Sequence, residues 1–474
     1  MVAAGDSLTS QNGSRLSRLD REILRLALPA AGSHFIILLH HSIDTWWVGR
    51  LPEEDAALAA LSIASFMVWI FGSITSLVGI GLTSLVARYV GQRHLAGARY
   101  IAHQGLLGAL ALGVLTAIIG WVAAPVVYAL VTKDPEVAKQ GISYVRIFWV
   151  GGFGILAQRG CEAIFRAHGN THLPFLVGIG GLVLNACLDP LFMFGAFGLP
   201  GLGVAGVALA TIITTGLMGL ALLLLLKRAR LVSPQYPGAE ELRLHKDTRI
   251  GHPGLLGLDA VVLWRVARVG LPLMWAGVLF SLIYLVISRI TAETGDTAAQ
   301  AALGLGHRGE GVAFILSSGY AAAATSLVGR LLGQGKPSAA ARAAWRCALQ
   351  CSIACGMWGL ILYTADDLIA GLFSDPGRTR DYAAAYYRII AWSLIPQALE
   401  IVLEGGFGGA GMTIPPMIVS IVLSGLRIPL AYAAVFYWDL GVGGIWWVIS
   451  ITGIVRGIVM AYWFQRNAWK QHTV

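Results

Sequence analysis

Charged residues are scarce in this sequence. Lysine, arginine, aspartate and glutamate make up 12% of the 474 residues, whereas 56% are hydrophobic and the mean hydropathy is +0.70. Soluble domains carry about twice that charged fraction, so the composition excludes an ordinary soluble protein and predicts a polytopic membrane protein. The net charge of +9 is then explained by basic loops on one side of a membrane. Nucleic-acid binding is not expected, because the sequence has no arginine-rich arm or nucleic-acid motif.

The sequence also lacks the short motifs of enzymes and metal proteins. Its five cysteines lie in apolar segments and form no C-x-x-C pair, which argues against a zinc or redox site. The glycine-rich residues 405–411 follow a membrane helix without a Walker lysine, which argues against a phosphate loop. We expect no cofactor and no signal peptide, since no short apolar segment with a small-residue cleavage site follows the polar N-terminus.

About twelve apolar runs are long enough to span a bilayer, which takes roughly 20 residues. They lie near residues 22–48, 57–84, 100–124, 140–165, 173–195, 203–226, 262–289, 298–328, 342–364, 384–407, 415–437 and 443–465. Loops rich in arginine and lysine alternate with loops that are acidic or mixed. This alternation predicts an inner (plasma) membrane protein with both termini in the cytoplasm.

The two halves of the sequence resemble each other. Residues 81–92 are similar to residues 323–334, and the matching threonines Thr83 and Thr325 are 325 − 83 = 242 positions apart. The repeat predicts an all-α fold of two pseudo-symmetric six-helix bundles, with substrate between them. The expected parts are a cytoplasmic tail 1–20, bundles 21–227 and 261–466, a cytoplasmic linker 228–260 and a tail 467–474. The basic linker suits a lipid surface, and we expect a monomer.

Four polar residues of the first half are predicted at similar depth: Asp44, Asn185, Asp189 and Thr211. Asn185 and Asp189 are four apart in an apolar run, so a helix places them on one face. At about 1.5 Å per residue, Asp44 and Asp189 lie roughly 9 Å and Thr211 roughly 12 Å below the outer boundary. Such polar groups in hydrocarbon are costly and usually functional. The oxygen ligands suit Na⁺, or the carboxylates share a proton; polar packing between helices is the alternative.

The second half carries a different set of candidates: His307, Arg308, Glu310, Arg427 and Arg456. Arg427 occupies the repeat position of Asn185, since 427 − 185 = 242. His307 and Glu310 are three apart and can share a helix face. Because a buried charge needs a partner, we expect Glu310 to pair with Arg427 or Arg456. The set either holds the second bundle together or contacts substrate.

Two further glutamates, Glu162 and Glu404, are related by the same repeat. They are predicted near the cytoplasmic ends of the fourth and tenth spans. We expect them to share a helix-end or gating role rather than to contact substrate.

Together these segments resemble the multidrug and toxic compound extrusion (MATE) family, from about residue 19 to residue 464. The resemblance rests on Asp44-Thr-Trp-Trp-Val-Gly-Arg, Leu85-Val-Ala-Arg-Tyr-Val-Gly-Gln, Leu184-Asn-Ala-Cys-Leu-Asp-Pro and Leu199-Pro-Gly-Leu-Gly-Val-Ala-Gly-Val-Ala-Leu-Ala-Thr. The Leu-Asp-Pro form and Gly306-His-Arg-Gly-Glu are more similar to the DNA-damage-inducible F (DinF) branch than to the NorM branch.

This resemblance implies two bundles in a V and efflux of small organic, often cationic, compounds driven by H⁺ or Na⁺. It also implies that Asp44, Asn185, Asp189 and Thr211 form the coupling-ion site. The sequence lacks an acidic residue in the core of the seventh span, where NorM-like members carry a coupling glutamate. This departure argues against a second-half ion site of that kind.

Two other functions are compatible with parts of the sequence. A flippase for a lipid-linked saccharide would use Arg308, Arg427 and Arg456 for an anionic headgroup. Such flippases commonly have more spans, and the residues around Asp44 match the exporters instead. A membrane-embedded enzyme is not expected, because no nucleophile–base pair, metal-ligand cluster or phosphate loop is visible at membrane depth.

Overall fold

The computed structural model describes residues 7–471 except 52–53, 196–197, 199, 239–256, 295–296, 373 and 375, and the regular structure of this part is helical. The first half contains α1 (Ser7–Val48), α2 (Glu54–Gly91), α3 (Leu95–Val131), α4 (Pro135–Val150), α5 (Gly152–Ala167), α6 (His172–Phe194) and α7 (Val204–Arg228). The second half contains α8 (Ala260–Glu293), α9 (Thr297–Gly333), α10 (Pro337–Thr364), α11 (Asp366–Gly371), α12 (Arg378–Ile390), α13 (Leu394–Ala410), α14 (Ile414–Gly425), α15 (Arg427–Phe436) and α16 (Gly441–Gln465). Helix α1 therefore begins within the segment 1–20 that the sequence predicted as a tail.

Eleven helical segments of the described chain are long and apolar enough to cross a membrane. The remaining predicted span, residues 140–165, is divided into α4 and α5, which are 16 residues each. They meet at Gly151, where an added β-carbon would overlap Ile212 of α7. The glycine therefore lets the chain pass close to α7 at the break. The protein is a multi-pass, all-α membrane protein.

Local sequence sets several of the helix ends. Asp134 accepts hydrogen bonds from the backbone amides of Glu136 and Val137 at 2.8 and 3.2 Å, and Pro135 takes the first helical position of α4. An acidic N-cap followed by proline is a favourable helix start. Gly411 ends α13 in the left-handed conformation with φ of 79°, which glycine adopts at little cost.

Buried apolar side chains form two clusters, one in each bundle, and the first helix of each bundle contributes to the other. Ile23, Leu26 and Ala27 of α1 belong to the second-half cluster. Val262 and Val266 of α8 belong to the first-half cluster. The first half of α1 thus packs into the second bundle and the start of α8 packs into the first, which ties the two lobes together.

Several contacts lie together at the end of the molecule that carries Asp20 and Trp469, called the termini end below. Asp20 of α1 accepts a hydrogen bond from the Nε of Arg346 at 2.9 Å. Near the C-terminus, Trp469 stacks on Phe464 with ring centroids 4.5 Å apart, and Phe464 contacts Trp345 beside Arg346. Asp20 and the last described turn of the chain, which contains Trp469, are therefore on the same side of the bundles.

A symmetric pair of glycines brings the two bundles into close contact. A β-carbon on Gly91 would overlap the backbone carbonyl of Arg330, and one on Gly333 would overlap that of Arg88. Both pairs are related by the repeat offset, since 333 − 91 and 330 − 88 are each 242. Toward the opposite end, side chains such as Leu38 and Phe66 are exposed. The lobes therefore meet at the termini end, as expected for a V.

Candidate functional site

The structure brings Asp44, Asn185 and Asp189 together inside the first bundle. Helices α1 and α6 pack against each other, which sets Asp44 opposite one turn of α6. The amide nitrogen of Asn185 donates to Asp44 Oδ1 at 3.0 Å and to Asp189 Oδ2 at 2.8 Å. The three residues are only 2%, 1% and 0% exposed. Two carboxyl groups therefore share one amide donor in a buried, otherwise apolar setting.

The charge of this cluster is its main chemical feature. The carboxyl groups of Asp44 and Asp189 both contact the same amide nitrogen, at 3.0 and 2.8 Å. Two ionised carboxylates so close in a low-dielectric interior repel strongly. Asn185 Oδ1 and Asp189 Oδ1 are buried acceptors that no donor in the described chain satisfies. A proton between the carboxyl groups or a small cation bound by these oxygens would relieve the repulsion.

Thr211 lies on the neighbouring helix but outside the hydrogen-bonded cluster. It is buried on α7, which packs against α6, and its hydroxyl donates to the carbonyl of Val207 at 3.0 Å.

His40 is a residue that the sequence reasoning missed. It lies one turn before Asp44 on α1, and its Nε2 is buried without a hydrogen-bond partner among the described residues. The sequence feature that could have identified His40 is its spacing of four residues from Asp44.

The expected ion pair of Glu310 with Arg427 or Arg456 was wrong. Glu310 accepts hydrogen bonds from the Tyr386 hydroxyl at 2.9 Å and the Gln397 amide at 2.7 Å. The partner of Arg456 is Glu400 on α13, a residue absent from the sequence-based candidates. Helix α13 packs against both α9 and α16. It therefore separates Glu310 from Arg456 and supplies a carboxylate that is nearer to Arg456 than Glu310 is.

Arg427 also differs from the expectation, because its partners are uncharged. Its guanidinium donates to the hydroxyls of Thr452 at 2.8 Å and Tyr284 at 3.0 Å. It lies 5.5 Å from the Tyr284 ring centroid, close enough for a cation–π contact. His307 packs edge-on against the same ring with centroids 4.9 Å apart, whereas Arg308 is exposed. Of the arginines that a flippase would use, Arg456 is already paired with Glu400 within the second bundle, which weakens the argument for a flippase.

The repeat-related glutamates have different surroundings. Glu162 forms an ion pair with Arg159 at 3.0 Å and lies 3.9 Å from Arg166, all on α5. The carbonyl of Arg166 accepts a hydrogen bond from Ser326 of the second bundle at 2.6 Å. Glu404 instead lies one turn after Glu400 on α13. Their predicted gating role stays a prediction. The helix of Glu404 also reaches the opposite bundle, since the carbonyl of Gly409 accepts a hydrogen bond from Ser84 at 3.3 Å.

Comparisons with known proteins agree with the helical architecture. The model of the MatE family matches residues 29–191 and again residues 272–433. The two matched regions start 272 − 29 = 243 positions apart, close to the offset of the repeat. The chain is 25% identical to the probable multidrug resistance protein NorM of Thermotoga maritima, over 96% of this chain and 94% of that protein.

Solved structures show the same fold. The chain resembles an outward-facing structure of a multidrug resistance MATE family transporter of the MOP superfamily with a TM-score of 0.83, 24% identity and coverage of 96% and 97% of the two chains. It resembles the Vibrio cholerae MATE transporter VcmN with a TM-score of 0.83 and 19% identity, over 97% of this chain and 100% of that one.

Proposed function

Because this chain belongs to the MatE family of membrane transporters, we propose that it exports organic, drug-like compounds across the plasma membrane in exchange for H⁺ or Na⁺. Support comes from the relative described as a probable multidrug resistance protein. The small organic substrate would pass between the two lobes by alternating access. The coupling ion would bind in the first bundle.

The observation that carries this proposal is the buried cluster of Asp44, Asn185 and Asp189. One amide donor serves two carboxyl groups, and two further acceptor oxygens are buried without donors in the described residues. Carboxylate and amide oxygens are suitable ligands for Na⁺, and a shared proton would neutralise one charge instead. Binding of either ion changes the charge within the first bundle and so its preferred packing.

Helix α1 provides a physical connection from this cluster to the opposite bundle. Its outer part carries Asp44, while Ile23 and Leu26 in its first half lie in the second-half core. Pro29 lies inside the helix between them, where it removes a backbone hydrogen bond and weakens the helix. A change in packing at Asp44 can therefore alter how the lobes meet. The ion shifts this equilibrium by its differential affinity for the two states.

Transport by the purified protein in proteoliposomes tests the proposal. A fluorescent organic cation is loaded, and a proton gradient or a sodium gradient is imposed separately in matched vesicles. We expect dye movement against its own gradient with one of the two ions and none when both gradients are absent. Dye movement that neither ion gradient accelerates would contradict ion-coupled export.

The orientation in the membrane is part of the proposal and has its own test. We propose that both termini and the linker face the cytoplasm. The loops on their side of the membrane are the basic ones, and basic loops face the cytoplasm in membrane proteins. Ser233 lies in the described start of the linker, where its amide donates to the carbonyl of Arg99 at 3.2 Å. The variant Ser233→Cys should resist a membrane-impermeant thiol reagent in intact cells and react after permeabilisation. Labelling in intact cells would reverse the assignment.

A further inference from the structure

The end of the linker is attached to the first bundle through buried polar contacts. The carboxylate of Asp259, the residue before α8, accepts a hydrogen bond from the hydroxyl of Tyr100 on α3 at 3.2 Å. The side chain of Gln104 on α3 accepts a hydrogen bond from the amide of Asp259 and donates one to the carbonyl of Gly257, both at 2.9 Å. Tyr100, Gln104 and Asp259, called the Asp259 clamp below, are 1%, 2% and 0% exposed. Separation of α8 from α3 would leave these buried groups without partners, which is costly.

Asp259 also fixes the direction in which α8 begins. Its other carboxylate oxygen accepts hydrogen bonds from the backbone amides of Val261 and Val262 at 3.0 and 3.1 Å, as an aspartate N-cap does. Val262 and Val266 lie in the apolar cluster of the first bundle. The start of α8 is thus joined to the first bundle both by apolar packing and by a carboxylate that caps the helix.

The beginning of the linker lies against the same turns of α3. The amide of Ser233 donates to the carbonyl of Arg99 at 3.2 Å. The ring of Tyr236 packs edge-on against Tyr100, with ring centroids 5.5 Å apart. Both described ends of the linker therefore contact α3, which belongs to the first bundle.

Helix α8 passes from one bundle to the other near a proline, and α1 does the same. In α8, Val266 lies in the first-bundle cluster and Ile283 in the second-bundle cluster. Pro272 lies inside the helix between these two residues. Pro29 occupies the related position of α1, since 272 − 29 = 243. Proline removes a backbone hydrogen bond and allows a helix to kink.

The two bundles hold these helices in a related way. Gln104 and Arg346 are related by the repeat, since 346 − 104 = 242. Gln104 of α3 binds the amide of Asp259, and Arg346 of α10 binds the carboxylate of Asp20 on α1. The segment before the proline of each helix is therefore attached to the other bundle.

We propose that the Asp259 clamp stays closed throughout the transport cycle, so that the first turns of α8 move with the first bundle. Helix α8 then bends near Pro272 when the lobes rotate. Thr413 of the second bundle donates to the carbonyl of Val269 at 2.8 Å, shortly before Pro272, so the bend lies where α8 reaches its own bundle. This inference rests on the alternating access of the proposed function and names the parts of the chain that move together.

Distances between spin labels, measured by pulsed electron paramagnetic resonance, test this in the full-length protein. The background is Cys187→Ser, because Cys187 is exposed and the other four cysteines are buried. Labels on His94→Cys and Ala260→Cys, both exposed positions, span the clamp. Labels on Ala260→Cys and Arg342→Cys span from α8 to the second bundle. The first pair should give one narrow distance at acidic and neutral pH, with and without sodium or ethidium, whereas the second pair should change its distance between these conditions.

Removal of the clamp hydrogen bonds gives a matched comparison. Tyr100→Phe combined with Gln104→Leu removes the side-chain hydrogen bonds from α3 to the linker end and should broaden the first distance. Tyr128→Phe is the control, because the buried hydroxyl of Tyr128 is on the same helix but donates to the carbonyl of Ala60 at 2.7 Å, outside the clamp. It should leave the distance narrow. An unchanged distance in the double variant would show that the clamp does not hold α8.

Covalent locks supply a functional measurement. A β-carbon added at Gly108 of α3 would lie 2.5 Å from the Cδ2 atom of Leu263 on α8, so oxidation can join Gly108→Cys to Leu263→Cys. A β-carbon added at Gly329 of α9 would lie 2.9 Å from that of Ala87 on α2, so Ala87→Cys and Gly329→Cys can join the lobes. In proteoliposomes the first lock should keep at least half of the gradient-driven export of its reduced form. The second should lose export and regain it on reduction.

Reversible loss of export in the oxidised Gly108→Cys/Leu263→Cys protein would overturn the inference. A first-pair distance that changes while the second stays fixed would do the same. If both label pairs keep single distances and no unlocked protein exports, the exporter function fails, while the narrow first distance still supports the closed clamp.

Discussion

The two bundles place different chemistry at equivalent positions of the same fold. In the first, Asn185 joins two buried carboxyl groups through its amide nitrogen. In the second, the repeat position is occupied by Arg427, which donates to Thr452 and Tyr284. The backbone of both halves follows one plan, yet the local charge is acidic in one and basic in the other. The fold therefore fixes where polar groups lie, and the individual side chains decide which ion or ligand they attract.

The bundles also differ in how they neutralise charge. The second bundle contains the ion pair of Arg456 with Glu400, whose side chains are 9% and 3% exposed. The ion pair of Glu162 with Arg159 in the first bundle is less buried, with the arginine 25% exposed. Removal of one partner should therefore be most damaging in the second bundle. Substitutions at these and neighbouring contacts test this contrast, and Glu400→Gln is expected to have the largest effect.

Glu400→Gln should destabilise the protein strongly, because it leaves Arg456 buried without its counter-charge. Loss of one partner of a buried pair costs about 3–5 kcal/mol in soluble proteins. The thermal midpoint of the detergent-purified variant, followed by light scattering and tryptophan fluorescence, should fall clearly below that of wild type. The double variant Glu400→Gln with Arg456→Met should recover part of the loss.

Glu310→Gln is the matched control for that experiment. Both hydrogen bonds to Glu310 come from neutral donors, so the substitution leaves no arginine without a contacting carboxylate. We expect a stability loss below about 1.5 kcal/mol, the usual net value of a hydrogen bond. If Glu310→Gln were as damaging as Glu400→Gln, the assignment of charge partners in the second bundle would be incorrect.

Gly333→Ala should loosen the contact between the bundles at the termini end. The new methyl group would overlap the carbonyl of Arg88, and overpacking of this kind typically costs about 1–3 kcal/mol. Gly216→Ala is the control, because nothing lies within 4 Å of its added β-carbon. That change should be neutral or stabilising by up to about 1 kcal/mol, as alanine is the better helix former. Equal melting curves for the two variants would argue against the close glycine contact.

Asp20→Asn should have the smallest effect of the set. Its carboxylate binds Arg346 at the rim of the bundles, but the two side chains are 28% and 38% exposed. Partly exposed ion pairs typically contribute about 0–1 kcal/mol and are weakened by salt. The variant should melt within a few degrees of wild type, and the difference should shrink in concentrated salt. A large, salt-independent loss would mean that this contact is essential for joining the lobes.

Much of the fold could be predicted from the sequence, because apolar runs and the internal repeat are strong signals. The proximity of the Asn185 and Asp189 side chains followed from their four-residue spacing on one helix. The break at Gly151 could not be predicted, since it depends on the close approach of Ile212 from α7. The partner of Arg456 was also missed. Which carboxylate lies nearest to an arginine depends on how the helices pack, and the sequence does not show which helix lies between two others. The sequence feature that could have identified Glu400 is its position one helical turn before Glu404.

The most direct test of the account is gradient-driven export by Asp44→Asn. An amide is cheaper to bury than a charged carboxylate, so the variant should fold and reach the membrane normally. Its export of a fluorescent organic cation from proteoliposomes should fall close to background. Asp189→Asn should behave alike, and the double variant should be little worse than either single one, because groups that act as a unit are non-additive. Near-normal export by correctly folded Asp44→Asn would contradict the assignment of the coupling site to this cluster.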